Sequence, residues 1–218
     1  VRLADDIFPK NALQSEVLKP VKTEQLQPLL RQDAKRVRLF YGPLNIYGKE
    51  ERKHATNRQD DRITSEGMEF TRRLGGFCKD CMVLAGKADL HFLNGTRATI
   101  SHGVYNHHLL IMDKDKVTLP WYLCPDQTDL GRSRYAGFMI TGVAEATNYY
   151  SAPNSTVKAG YWIGDQLQKT FILNAQLINY REHTTPVYVT TDVEYVEGRQ
   201  ENYVDASMSL LSVTGFVF

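Results

Sequence analysis

Residues 82–93 alternate in character and run directly into Asn94-Gly95. Successive side chains of a strand point to opposite faces, so this period places Leu84, Gly86, Ala88, Leu90 and Phe92 on one face. Asn-Gly then supplies a tight hairpin turn, because both residues tolerate positive φ. The same period returns in 187–196, where Val187, Val189, Thr191, Val193 and Tyr195 share a face. Further strands are expected at 37–41, ending at Gly42-Pro43, and at 97–112, as one long or two short strands ending at the Asp113-Lys114-Asp115 turn. Others are expected at 136–144, 157–163, 170–179 and 206–217. Residues 49–65 are strongly charged without apolar periodicity and read as a solvated loop. Val, Thr and Tyr are enriched throughout, as strands require. About nine strands with regular turns and no convincing helix predict an all-β, antiparallel, jelly-roll-like sandwich over residues 35–218. There is no internal repeat.

Residues 1–34 differ in texture. Leu13, Val17, Leu26 and Leu30 have weak helical spacing, but Pro9, Pro20 and Pro28 prevent a long helix. The segment reads as an extended arm, either loose as termini usually are or docked on a neighbouring subunit.

Composition removes several classes. Lys plus Arg is 26 and Asp plus Glu is 25 in 218 residues, a net charge of +1, without the basic excess of a nucleic-acid binder. At 42% hydrophobic the chain is too apolar for a disordered protein. Its apolar runs fall far short of the ~20 residues that span a bilayer. Val1 is not followed by a basic start and an apolar stretch, so no signal peptide is read there; the absence of an initial Met fits a leader already removed.

Asn94-Gly95-Thr96 and Asn154-Ser155-Thr156 are glycosylation sequons in turn-like contexts, which suggests an extracellular or cell-surface protein. The three cysteines are Cys78, Cys81 and Cys124. A single CxxC with no second pair and no nearby His pair is a poor structural zinc site, since zinc takes four ligands. The favoured arrangement is a disulfide from one of Cys78 and Cys81 to Cys124, leaving one thiol over. Hydrolase signatures are missing: the sequence has no Gly-x-Ser-x-Gly and no His-Glu-x-x-His. Asp113, Asp115, Asp126 and Asp129 fall in turns, where Asp is expected in any case.

The six histidines are His54, His91, His102, His107, His108 and His183. His107 and His108 are adjacent in a predicted strand. Imidazole is the commonest copper and zinc ligand. In a regular strand, adjacent residues point to opposite faces and cannot chelate together. They could do so at a strand end or a bulge.

This segment and its flanks resemble a known family. The landmarks are Tyr41-Gly42-Pro43, Cys78-Lys79-Asp80-Cys81-Met82-Val83-Leu84, and Ala88-Asp89-Leu90 leading to Asn94-Gly95-Thr96. They continue with Asn106-His107-His108-Leu109-Leu110, Leu123-Cys124-Pro125, Gly160-Tyr161-Trp162-Ile163-Gly164 and Phe171-Ile172-Leu173-Asn174. Pro186-Val187-Tyr188-Val189-Thr190 and Asp192-Val193-Glu194-Tyr195-Val196 close the series. In this order they resemble the first, tandem-His sandwich domain of the copper type II, ascorbate-dependent monooxygenases (peptidylglycine α-hydroxylating monooxygenase-like), closest to secreted fungal members of undefined function. The resemblance implies a copper site with His107 and His108 as ligands. The family's third His does not transfer: Asn179 or a neighbour stands there, with His183 just beyond, or His102 before the pair, as the substitute. The family's oxygen-activating half needs His-x-His, which this sequence lacks. A single copper site and no complete catalytic centre are therefore expected, with room in the chain for one sandwich and an arm.

Two other functions compete. One is a structural subunit of an extracellular fibre, coat or surface assembly, self-associating through residues 1–34 or an apolar strand at 206–218. The other is a carbohydrate-binding module that uses Trp121, Tyr122, Tyr149, Tyr150, Tyr161 and Trp162 as stacking faces.

Overall fold

A computed structural model describes residues 16–57, 61–116, 136–142, 146–152, 158–164 and 169–208. Its strands are β1 (Val17–Leu18), β2 (Lys22–Leu26), β3 (Lys35–Ile46), β4 (Asp61–Ile63), β5 (Met68–Leu74), β6 (Cys81–Phe92), β7 (Val104–Asp113), β8 (Ala136–Gly142), β9 (Asn148–Tyr149), β10 (Ala159–Ile163), β11 (Phe171–Asn179), β12 (Thr185–Glu197) and β13 (Val204–Asp205). One helix, α1 (Lys49–His54), and a 3-10 turn at Ile100–His102 complete the described elements. Two sheets pack face to face as a β-sandwich. One has the order β1-β5-β11-β7-β8, with β4 also on β5; the other has β13-β10-β6-β12-β3-β2, with β9 also on β6. Pairing is antiparallel apart from β1 with β5 and β10 with β13. None of the described helices is long and apolar enough to cross a membrane.

The main core lies between the sheets. Leu109, Ile111, Leu173, Ala175 and Leu177 on one side meet Ala88, Leu90, Val187, Val189 and Val193 on the other. Phe138 and Phe171 stack at 4.3 Å between ring centres, with Phe77 edge-on to Phe171 at 4.7 Å. The face expected in 187–196 is realised: Val187, Val189 and Val193 are core, and Thr191 is fully buried with them.

The face expected in 82–93 is corrected at one residue. Glu194 pairs with Ala85 and Tyr195 with Val83, so Leu84 is the extra residue of a bulge. The alternation breaks there. Leu84 turns away from Ala88 and Leu90 and joins Met82, Ala34 and Val196 in a second, smaller apolar cluster.

That cluster explains where the arm goes. Residues 16–34 add strands to both sheets of the chain itself, β1 beside β5 and β2 beside β3. Leu30 and Ala34 then cover Met82 and Leu84 on the outer side of the seven-stranded sheet. The Glu194 carboxylate, 1% exposed, accepts hydrogen bonds from three consecutive arm amides: Leu29 N (2.5 Å), Leu30 N (2.7 Å) and Arg31 N (3.1 Å). Successive amides converging on one carboxylate form a fixed anion cradle.

Other expectations shift for identifiable reasons. The strand at 37–41 does not end at Gly42-Pro43 but continues to Ile46. A register shift opposite Tyr188 admits Pro43 without a missing ladder bond, and Gly42 takes φ +117°, which favours glycine. The charged segment 49–65 holds α1 and β4 rather than only loop. None of the α1 residues is buried, so no apolar period marks the helix. Cys78 bonds Cys81, in place of the expected link to Cys124, which lies outside the described residues. Asp80, between them at φ 48°, turns the backbone so that the two Cα atoms stand 6.0 Å apart, within the bridging range.

On the outer face of the seven-stranded sheet, His91 is 5% exposed and its Nδ1 lies 3.0 Å from Thr190 Oγ1. Burial, reinforced by the positive charges of Arg38 and Arg97 against Asp89 and Asp192, holds its pKa below the usual value. A histidine depressed on folding binds fewer protons folded than unfolded. Its stabilisation is complete above the unfolded pKa of about 6.5 and is lost as pH falls from there towards the folded pKa. We expect thermal midpoints to decline below about pH 6.5 and His91→Gln to flatten that decline. Equal slopes in melts from pH 8 to pH 5 would remove His91 as the cause.

Candidate metal site

His107 and His108 sit in β7, one strand in from the β8 edge of the six-stranded sheet. Leu109 pairs with Ala175 and His108 with Gln176, but Leu177 pairs with Asn106. His107 is therefore the extra residue of a β-bulge. Residues directly opposite share a face, so Asn106 follows core Leu177 inward, while His108 follows Gln176 outward. The bulge suspends the alternation that would send the two imidazoles to opposite sides. They stand together on the outer face, with His107 Nδ1 and His108 Nδ1 3.2 Å apart.

The ring of His108 is fixed from behind. Its Nε2 lies 2.8 Å from Asn174 Oδ1. The Asn174 amide nitrogen faces Thr71 Oγ1 and Glu69 Oε1, each at 3.4 Å, which leaves Oδ1 as the acceptor towards His108. His108 Nε2 then carries the proton, and a neutral His108 presents the Nδ1 lone pair towards His107. Asn174 is 2% exposed and Thr71 1%, so this support is set in the sheet. Tyr105 flanks the pair, its ring 6.1 Å from that of His107 and 6.5 Å from that of Tyr180.

Two nitrogen ligands each about 2.0–2.1 Å from one ion lie about 3.2 Å apart when they subtend about 100°. With His108 Nδ1 as acceptor, His107 Nδ1 donates the 3.2 Å hydrogen bond between the rings; the same spacing is compatible with two nitrogens on one ion, whose binding would displace that proton. In the divalent series imidazole sites favour Cu2+ over Zn2+.

The remaining sequence candidates lie elsewhere. Asn179 holds a turn instead of facing the pair: its Nδ2 donates to Ile46 O, His183 O and Thr185 Oγ1, and its Oδ1 accepts from Arg181 N. His183 is exposed, with Nδ1 3.4 Å from Glu51 Oε1. His102 closes the 3-10 turn with Nδ1 2.8 Å from Thr99 Oγ1, and His54 is exposed at the end of α1. Among the described residues no three His, Cys, Asp or Glu side chains gather where they could hold a metal ion, so neither His183 nor His102 joins the pair. Asn174, Thr71 and Glu69 were not anticipated. Asn174 follows core Leu173 in an alternating strand, which is the signal that it faces outward.

The expected aromatic faces divide. Tyr150 and Tyr161 are core residues, Tyr149 is exposed, and Trp162 packs against the second cluster below the Arg199 guanidinium. Trp121, Tyr122, Asp126, Asp129 and Asn154 lie outside the described residues. Asp113 is fully buried, bonded to Tyr161 Oη (2.8 Å) and Lys169 Nζ (2.6 Å), and Asp115 also pairs with Lys169 (3.0 Å). These carboxylates close a charged knot at the sandwich end. Asn94 is exposed in the 93–95 turn, its Oδ1 accepting from Thr96 N at 2.9 Å.

No family model, no curated protein and no solved structure matches the chain significantly.

Proposed function

We propose that the chain is an extracellular β-sandwich that binds one copper ion through the Nδ1 atoms of His107 and His108. The observation that carries this reading is the 3.2 Å Nδ1–Nδ1 separation on a bulge. Copper, when bound, supplies one-electron redox chemistry. The chain's own residues do the rest: His107 and His108 bind, and Asn174 orients His108 and keeps its proton on Nε2. Such supporting partners set ligand orientation and basicity. With no His-x-His in the sequence, the reading is of binding or carrying copper, without the oxygen-activating half of the monooxygenases the sequence resembles. The Cys78–Cys81 bond supports an oxidising compartment, and the exposed Asn94 sequon fits the same placement.

Copper titration followed by metal analysis and electron paramagnetic resonance tests the proposal. We expect one copper per chain and its loss in His107→Ala/His108→Ala. Asn174→Ala should weaken binding by about 10–100-fold, the usual cost of losing a ligand's supporting partner. Copper retained equally by the double histidine variant would overturn the reading.

A further inference from the structure

A second site stands at α1, apart from the histidine pair. The helix is seated by backbone contacts: Lys49 N donates to Arg181 O (3.0 Å) and Glu50 N to Glu182 O (3.1 Å). The approach is so close that a Cβ on Gly48 would lie 2.3 Å from Glu182 O, which requires glycine there. Beside the helix is a cavity of about 510 Å3, lined by Lys49, Arg52, Lys53, Ile63, Thr64 and Ser65 with Ala55. Three lining residues are cations, and none of the described lining residues is acidic.

Arg52 is the informative one. Its Nη1 donates to Tyr47 O (2.9 Å) and Asn179 O (2.7 Å), which fixes the plane of the guanidinium. Its Nε is buried from solvent and, among the described residues, has no acceptor. No carboxylate pairs with it among the described residues, although the side chain is half-buried. The two carbonyls solvate the guanidinium but leave its net charge uncompensated, which an anion could meet. Among the described residues, Lys49 and Lys53 pair with Glu182 (2.8 Å) and Glu50 (2.7 Å) in solvent-exposed pairs. Such pairs are weak and readily exchanged for a ligand anion. Thr64 Oγ1 is occupied with Gly67, so the Ser65 hydroxyl is the adjustable donor.

We infer that this cavity binds a tetrahedral oxyanion ester, a sulfate or phosphate monoester on a small organic body. Arg52, held by the Tyr47 and Asn179 carbonyls, supplies a fixed positive charge beside such a group, and pre-organisation reduces the ordering cost of binding. The volume lies within the ~300–1,000 Å3 range of small-molecule pockets, so a bare ion would leave most of it unfilled. Ala55 and Ile63 give the organic part an apolar wall.

The test titrates the whole protein, at about 0.15 M salt to screen diffuse attraction, with glucose 6-phosphate, glucose 6-sulfate, inorganic phosphate and inorganic sulfate. Calorimetry gives affinity, and the Arg52 Nε–H resonance in 15N-arginine-labelled protein reports the site. We expect saturable binding of at least one ester, tighter than its free ion, with the Arg52 signal shifted. A response to the sulfate ester alone or the phosphate ester alone assigns the source, and a response to both supports the shared chemistry. Arg52→Gln should weaken binding at least about tenfold, one decade in Kd. Lys49→Gln/Lys53→Gln, which alters exposed side chains only, should do the same in a protein with an unchanged far-ultraviolet spectrum. No saturable response to either ester, free ions binding as tightly as the esters, or undiminished binding in the lysine variant would overturn the inference. Copper binding is indifferent to all of these outcomes.

Discussion

Replacing Glu194 with alanine is expected to release residues 29–34 from the body of the protein and lower its thermal midpoint by roughly 6–12 °C, corresponding to about 3 kcal/mol at this chain length. Hydrogen bonds to a charged group contribute about 1.5–3 kcal/mol each, and Glu194 accepts three from Leu29, Leu30 and Arg31. The freed amides regain water, which brings the net loss below their sum. Once the cradle is lost, the apolar cover of Leu30 and Ala34 over Met82 and Leu84 has less to hold it in place. Glu194→Gln should cost less than alanine, because its remaining carbonyl oxygen can keep the Leu30 and Arg31 bonds while its NH2 group meets the Leu29 amide donor. Limited proteolysis gives the second readout: cleavage near Leu30 should accelerate in the variants while the body stays intact. An unchanged midpoint with an unchanged cleavage pattern would show that the arm is held by something else.

The second large effect belongs to Asp113. Its carboxylate is fully buried between Tyr161 Oη and Lys169 Nζ and also accepts from Asp115 N at 2.9 Å. Burial, together with the neighbouring Asp113 charge, pushes the Tyr161 phenol far above its usual range, so it remains a donor. Lys116, whose Nζ lies 3.7 Å from the centre of the Tyr161 ring, has its pKa lowered by burial despite pairing with Asp205. Asp113→Ala leaves Lys169, 12% exposed, with Asp115 as its one remaining carboxylate among the described residues, and should cost about 3 kcal/mol, the lower end for breaking a buried pair. Lys169→Met alone should cost a similar amount. Asp113→Leu/Lys169→Met removes both charges, and its loss should be well below the sum of the single losses. Additive losses in denaturant unfolding would mean that the two groups do not act as a pair.

The sandwich was legible wherever a strand has one core face and one outer face, as in 187–196. It was less legible where pairing adds a residue. Leu84 leaves its expected face because of a bulge that exists only opposite Glu194 and Tyr195. β5 escaped notice because Arg72 interrupts the apolar face of Met68, Phe70 and Leu74. α1 could not be found from apolar spacing, since backbone bonds and Arg52 hold it rather than a buried face. At the candidate site the histidines were visible as a motif, and a bulge was the condition for both to share a face. Whether one occurs depends on β11, more than sixty positions away in the chain, since His108 pairs with Gln176. His183 and His102 were drawn in by nearness in sequence, which places neither beside the pair.

The bulge at His107 also makes the side-by-side placement of the two imidazoles a matter of chain length. Asn106 points inward and Leu109 points inward, and two residues stand between them where a regular strand has one. A chain shortened by His107 alone would read Asn106, His108, Leu109 as in, out, in. Each core side chain would keep its face, and one imidazole would remain on the surface. The pairing of two imidazoles on one face can thus be created or erased by a single-codon insertion or deletion while every core side chain keeps its side of the sheet.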